Sequence, residues 1–136
     1  MFLLKELKIS TDEIIIHFVS ELKIGFIHKK FFNDPSSTDC ITFPIDSCTK
    51  NKEDSYHILG EVFICPKIAI KYSERHRINP LEELYRYIIH CILHLIGYDD
   101  IQETERIRMK RKERACLKKL YNASHLSKYA ARSQKL

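Results

Sequence analysis

The sequence predicts a mixed α and β fold in a single domain, and three observations carry the prediction. Segments rich in β-branched and aromatic residues, such as EIIIHFV (13–19) and LGEVFIC (59–65), alternate with segments of helical apolar spacing. The 136 residues suffice for one well-buried core and are too few for two. The composition, 44% apolar and 30% charged with 3 Gly and 4 Pro, excludes collagen-like and Pro/Gly-rich disordered chains.

FLLKELKI (2–9) has apolar residues at helical spacing and predicts a short helix, interrupted by Thr11-Asp12. The 13–19 segment reads as a strand. Ser20 is placed to cap a helix over 21–32, where Leu22 and Phe26 share a face with Lys29 or Lys30. NDPSST (33–38) is a turn cluster, CITFP (40–44) a short strand ended by Pro44, and the polar 45–58 a loop. Pro66 closes the 59–65 strand, and 67–76 suits a short helix. The strongest helix opens at Asn79-Pro80, a capping residue followed by a proline suited to the first helical position. Leu84, Ile88, Cys91 and Leu95 then form one apolar stripe, and Gly97 supplies a left-handed terminus. A second long helix is expected over 102–121. Residues 122–136, rich in Ser, Ala and Lys, are expected to form a loosely ordered basic tail beyond a 1–121 domain.

Charge is unevenly spread within a net of +5: residues 1–100 carry 12 Lys/Arg against 15 Asp/Glu, and residues 101–136 carry 11 against 3. A basic segment of this kind attracts polyanions such as RNA or the ribosome, or is simply a solvated helix face. No apolar run reaches the ~18–20 residues that span a bilayer, and the MFLLKE start lacks a signal-peptide pattern, so a cytoplasmic protein is expected. The five cysteines are odd in number and include no CxxC pair, which disfavours a zinc ribbon or thioredoxin-like site and predicts reduced thiols that mostly fill the core.

The chemistry is concentrated in HCILHLIGYDD (90–100). His90 and His94 stand one helical turn apart, a spacing that lets two imidazoles converge on one metal ion. A reversal at Gly97 can return Asp99 or Asp100 toward them as a third, oxygen ligand. Two His and one carboxylate with an open fourth position is a catalytic zinc arrangement, in which bound water reaches a pKa of ~7 and a phosphoryl or carbonyl oxygen is polarised. In HExxH proteases the residue after the first His is the general base; here it is Cys91, which disfavours that mechanism.

This segment resembles the HGxLHLxGYDH signature of the YbeY family of bacterial endoribonucleases, also called rRNA maturation factors. STDCITFP (37–44) resembles that family's PTDVLSFP block, and LGEVFIC (59–65) its LGDIxI strand, in the same order. The resemblance covers residues 13–120. It implies a compact α/β domain of α+β type, with a small mixed sheet flanked by helices and the metal-bearing helix in the cleft. It implies one Zn2+ held by His90, His94 and Asp100. It further implies cleavage of single-stranded RNA, 16S rRNA 3′-end maturation and ribosome quality control, with rRNA and the ribosome or small subunit as partners. Three positions depart from the pattern. Asp100 stands where the family has His, Cys91 where it has Gly, and Phe32 falls where an ungapped count places a family Arg.

Candidate RNA contacts are Lys29 and Lys30 near that missing Arg, Arg86 one turn before His90, and Lys110 and Arg111 on the basic helix, with Lys112 and Arg114 beside them. Arg86 is expected to pair with Glu82. Glu61 is a candidate partner for a ligand His, or an outward strand residue. Thr38, Asp39 and Thr42 are expected to serve turn and strand-edge hydrogen bonds rather than substrate. His17, His28, His57, His76 and His125 lack ligand spacing. Two rival readings remain: a metal-dependent hydrolase of another substrate, and a non-catalytic zinc-containing ribosome-assembly factor, which a fourth protein ligand would favour.

Overall fold

Ile14, Ile16, Val62 and Ile64 turn one face of a small sheet inward, and the helix that carries the His pair packs against it. The computed structural model describes residues 2–34, 38–47 and 55–123. Among them, in chain order, are α1 (Phe2–Glu6), β1 (Glu13–Phe18), α2 (Glu21–Phe32), β2 (Cys40–Pro44), β3 (Ile58–Ile64), α3 (Pro66–His76), α4 (Pro80–Leu95) and α5 (Glu103–Ala123). The sheet is mixed, in the order β1-β3-β2, with β3 parallel to β1 and antiparallel to β2. The fold is therefore α+β, as the alternation of strands and helices predicts.

The caps account for where helices begin and end. Ser20 accepts from Lys23 N at 3.1 Å, and Asn79 accepts from Leu81 N at 2.8 Å. Asn33 and Arg77 close α2 and α3 in the left-handed conformation. The first helix is shorter than the apolar pattern over 2–9 and stops at Glu6, because Lys8 takes a positive φ of 55°. The last helix runs to Ala123, so residues 122 and 123 continue α5 rather than begin a tail. The rest of the predicted tail, 124–136, lies outside the described residues, as do His125 and Cys48.

α4 is the centre of the molecule. On one side its Tyr87, Cys91 and Leu95 meet Leu59, Val62 and Ile64 of the sheet and Ala69 of α3. On the other, its Ile89, Ile92 and Leu93 meet Leu3 of α1 and Met109, Cys116 and Leu117 of α5. Cutting any one of Ile89, Ile92 or Leu93, all 0% exposed, to Ala would cost about 2–5 kcal/mol. Gly60 lets α4 approach β3 closely: a Cβ there would clash with the Leu95 side chain and lie 2.9 Å from the Phe43 carbonyl oxygen. α2 covers part of the opposite sheet face through Ile24 and Ile27, packed on Ile41 and Cys65. Cys65, Cys91 and Cys116 are buried free thiols, the core role their spacing predicts, while Cys40 is half-buried. No helix among the described residues is long and apolar enough to cross a membrane.

Candidate metal centre

The site is built at the C-terminal end of α4. Gly97, at φ +107°, adopts a conformation that L side chains rarely take, and the chain reverses there. Gly97 N donates to the His94 carbonyl at 3.1 Å, and Tyr98 N to the Leu93 carbonyl at 3.0 Å, the paired bonds of a Schellman terminus. The reversal does two things. It sets the Tyr98 carbonyl 3.0 Å from His94 Nδ1. It also brings Asp100 back over the helix end, where its Oδ2 lies 3.7 Å from both His90 Nε2 and His94 Nε2. Asp99 takes no place beside the imidazoles; its Oδ1 accepts from Asp100 N at 2.7 Å and Ile101 N at 3.3 Å, which shapes the turn.

The hydrogen bonds decide which ring atoms face the centre. A carbonyl oxygen only accepts, so His94 Nδ1 carries a hydrogen and donates it to Tyr98 O. His90 Nδ1 likewise faces the Glu113 carboxylate at 3.1 Å. With Nδ1 the protonated nitrogen, the neutral form of each ring directs its Nε2 lone pair toward the other across 3.1 Å, beside a carboxylate oxygen. Three acceptors around one point repel unless a cation lies among them. Burial alone would lower the His90 pKa, but the Glu113 hydrogen bond and charge, with Asp100 and Asp39 behind them, more than offset this and raise it. A metal ion satisfies the same demand. Tetrahedral N/O ligands at 2.0–2.2 Å stand about 3.3–3.6 Å from one another, close to the 3.1 and 3.7 Å separations here. Among the described residues this group has three members, all ligand atoms lying within 4.8 Å of one another, and it can hold a metal ion.

Two cavities meet at His90 and Asp39. The first, of 340 Å³, contains the three candidate ligands together with Thr38–Thr42, His28 and Phe32. The second, of 460 Å³, lies between α3, α4 and α5, and Arg86, Lys110 and Arg114 bring cations to its wall.

A family model described as Endoribonuclease YbeY matches residues 1–121. The chain belongs to the YbeY endoribonuclease family. It is thus a member of a family of hydrolases that cut RNA. It is 45% identical over 102 residues to the Endoribonuclease YbeY of Protochlamydia amoebophila, an alignment covering 75% of this chain and 66% of that protein. The Chlamydia pneumoniae YbeY is 42% identical over 119 residues, 85% of this chain and 73% of the relative. The chain therefore spans about two thirds to three quarters of the length of these relatives. A Thermotoga maritima protein of known solution structure superposes with a TM-score of 0.60 at 27% identity, covering 90% of this chain and 83% of the other.

The candidate residues of this YbeY-family protein fall in different places. His90, His94 and Asp100 come together. Arg86 and Lys110 border the second cavity, whereas Lys29, Lys30 and Arg111 are exposed and line neither cavity. Arg86 pairs with Glu83, Nε to Oε2 3.6 Å, rather than with Glu82. Glu83 is the acid on the inward side of the helix, 3% exposed against a half-buried Glu82, so the guanidinium follows the less hydrated charge. Glu61 does not reach a candidate ligand; it pairs with His17 at 2.5 Å on the far sheet face. Thr38 bonds the Cys40 carbonyl at 3.3 Å, the strand-edge role expected, while Thr38, Asp39 and Thr42 also line the first cavity. His57 is a satisfied core residue, accepting from Thr11 Oγ1 at 2.8 Å and donating Nε2–H to the Ser47 carbonyl at 2.8 Å. Glu113 is the residue that sequence reasoning missed. Its signal was available: with Met109, Cys116 and Leu117 it lies on the inward stripe of a basic helix, where an acid is out of place.

Proposed function

We propose that this protein is a cytoplasmic, zinc-dependent endoribonuclease that cuts single-stranded RNA and acts in 16S rRNA 3′-end maturation and ribosome quality control. The catalytic unit is assigned to residues 1–121, with the basic 122–136 segment beyond it. The observation that carries this reading is the convergence of His90 Nε2, His94 Nε2 and Asp100 Oδ2 in a cavity large enough for part of a nucleotide. His90, His94 and Asp100 would hold the ion. When bound, Zn2+ supplies Lewis acidity toward a phosphoryl oxygen and a lowered pKa for water. Three protein ligands leave a coordination position for substrate or water, which favours catalysis over a purely structural role.

The surrounding residues have separable tasks. Glu113 and the Tyr98 carbonyl hold both imidazoles in one tautomer and orientation. Asp100 adds a negative charge that tightens cation binding and makes an activated water less acidic than three His would. Arg86, Lys110 and Arg114 line the adjoining cavity and neutralise phosphates of the strand entering from the α5 side. Attack by water and attack by the RNA 2′-hydroxyl remain two routes, told apart by the product: a 2′,3′-cyclic phosphate means the 2′-hydroxyl was the nucleophile.

The test is cleavage of a labelled single-stranded rRNA 3′-end fragment by zinc-loaded wild type beside identically purified His94→Ala. Cutting by wild type alone supports the zinc nuclease. Equal cutting by both, or by neither, overturns it and leaves a non-catalytic ribosome-binding factor as the better reading.

A further inference from the structure

The first cavity has a wall that the metal reading does not use. His28 and Phe32 lie one turn apart on α2, share a face, and both border the cavity that also holds the His pair. Phe32 is 52% exposed, less than Phe26 and Phe31 of the same helix, but unlike them it lines the cavity that holds the two imidazoles and the carboxylate. It is nevertheless held in place. Phe43 of β2 stacks against it at 6.0 Å between centroids and 30° between planes, and His28 tilts against it at 5.6 Å. Phe43 is itself fixed edge-on by Phe63 at 5.8 Å and Phe31 at 5.1 Å. Among the described residues lining this cavity none is Lys or Arg, so a phosphate on this side meets no cation. The cations line the other cavity, beyond His90. A substrate spanning both would place phosphate against Arg86, Lys110 and Arg114, and a flat apolar surface against Phe32.

We propose that the Phe32 wall is a nucleobase subsite, on which a base adjoining the scissile phosphate stacks. This deepens the single-stranded RNA reading and rests on it. Unpaired bases are recognised by stacking on aromatic side chains because every base has a π face, whereas bases in a duplex are already stacked on their neighbours. The subsite therefore selects unpaired RNA and tolerates sequence, and hydrogen bonds from the Thr38–Thr42 strand can add preference at the base edge.

The experiment scans a short single-stranded RNA with one abasic ribose at each position in turn. Zinc-loaded wild type is compared with Phe32→Ala, Phe32→Leu and Phe32→Trp, reading KM, kcat and direct binding by fluorescence anisotropy. At one position the abasic substitution is expected to weaken wild-type binding about tenfold, the order of one lost base–aromatic stack. Phe32→Ala and Phe32→Leu lose the same factor on intact RNA and nothing more at that position, and Phe32→Trp restores it. The effect falls in KM with kcat nearly unchanged. Thermal melts matched to wild type for Phe32→Leu exclude a folding defect as the cause. If no abasic position couples to Phe32, the subsite is wrong even though the nuclease stands. If coupling is present in anisotropy while wild type does not cut, the subsite stands and the nuclease reading fails. A wild type that neither cuts nor binds overturns both.

Discussion

α4 and α5 lie against each other and both reach the candidate metal centre, yet they are built on opposite plans. α4 buries Tyr87, Ile89, Cys91, Ile92, Leu93 and Leu95, and it is covered by the sheet on one side and by α1 and α5 on the other. α5 carries eight Lys/Arg in 21 residues and buries only a narrow stripe, Met109, Cys116 and Leu117. The candidate ligand pair His90 and His94 rides on the helix that packing holds still. The positive charge rides on the helix whose surface is free to carry it. Position within about an ångström matters for ligands on a metal, while a phosphate track tolerates mobile Lys and Arg side chains. Glu113 joins the two plans: it belongs to the charged helix but turns inward to hold a histidine of the packed one.

The contrast orders the expected effects of mutation. The largest falls on α4. His94→Ala removes one of the three proposed ligands, and zinc content and cleavage should both drop by more than about 100-fold, beyond the range for supporting residues; metal analysis by mass spectrometry alongside the RNA assay checks it. Next comes the inward residue of α5. Glu113→Gln keeps the shape but loses the charge that orients His90, and zinc affinity should fall about 10–100-fold with little change in melting temperature. A chelator titration reads this, and unchanged affinity would mean that the Glu113–His90 contact is incidental. Smaller still is the outward face of α5. Lys110→Gln and Arg114→Gln should each flatten the salt dependence of single-stranded RNA binding by about 0.7 in the log–log slope, leaving metal content untouched. The smallest effect concerns Glu83, back in the buried stripe. Burial raises its pKa, the nearby Arg86 only partly opposing this. The folded state thus holds this proton more tightly than the unfolded chain. The stability it contributes is full below the ordinary glutamate value and is lost as pH rises through the raised one. Glu83→Gln should remove that decline, seen as a flatter melting temperature between weakly acidic and neutral pH.

Much of this molecule follows from short-range pattern. The strand at 13–18, the Ser20 and Asn79 caps, the Pro80 start, the apolar stripe of α4 and the Gly97 stop each depend on residues within one or two helical turns of each other. The His pair depends on the same periodicity, and Asp100 needs only the reversal that Gly97 permits. Local propensity is legible because the interacting groups are neighbours in the chain. The departures arise where the partner is distant. Glu113 reaches His90 across 23 residues because α5 packs on α4. Glu61 meets His17, 44 residues away, because β1 and β3 pair in parallel. Phe32 faces the metal cavity because α2 lies against β2. One departure is local: Arg86 meets Glu83, three residues away, rather than Glu82, because the packing of α4 buries Glu83 and leaves it the less hydrated carboxylate. Spacing along the chain determined which side chains could converge as His90, His94 and Asp100 do; the packing of helices and strands decided what orients them and what lines the cavity around them, since only burial of apolar faces brings such distant groups within bonding distance.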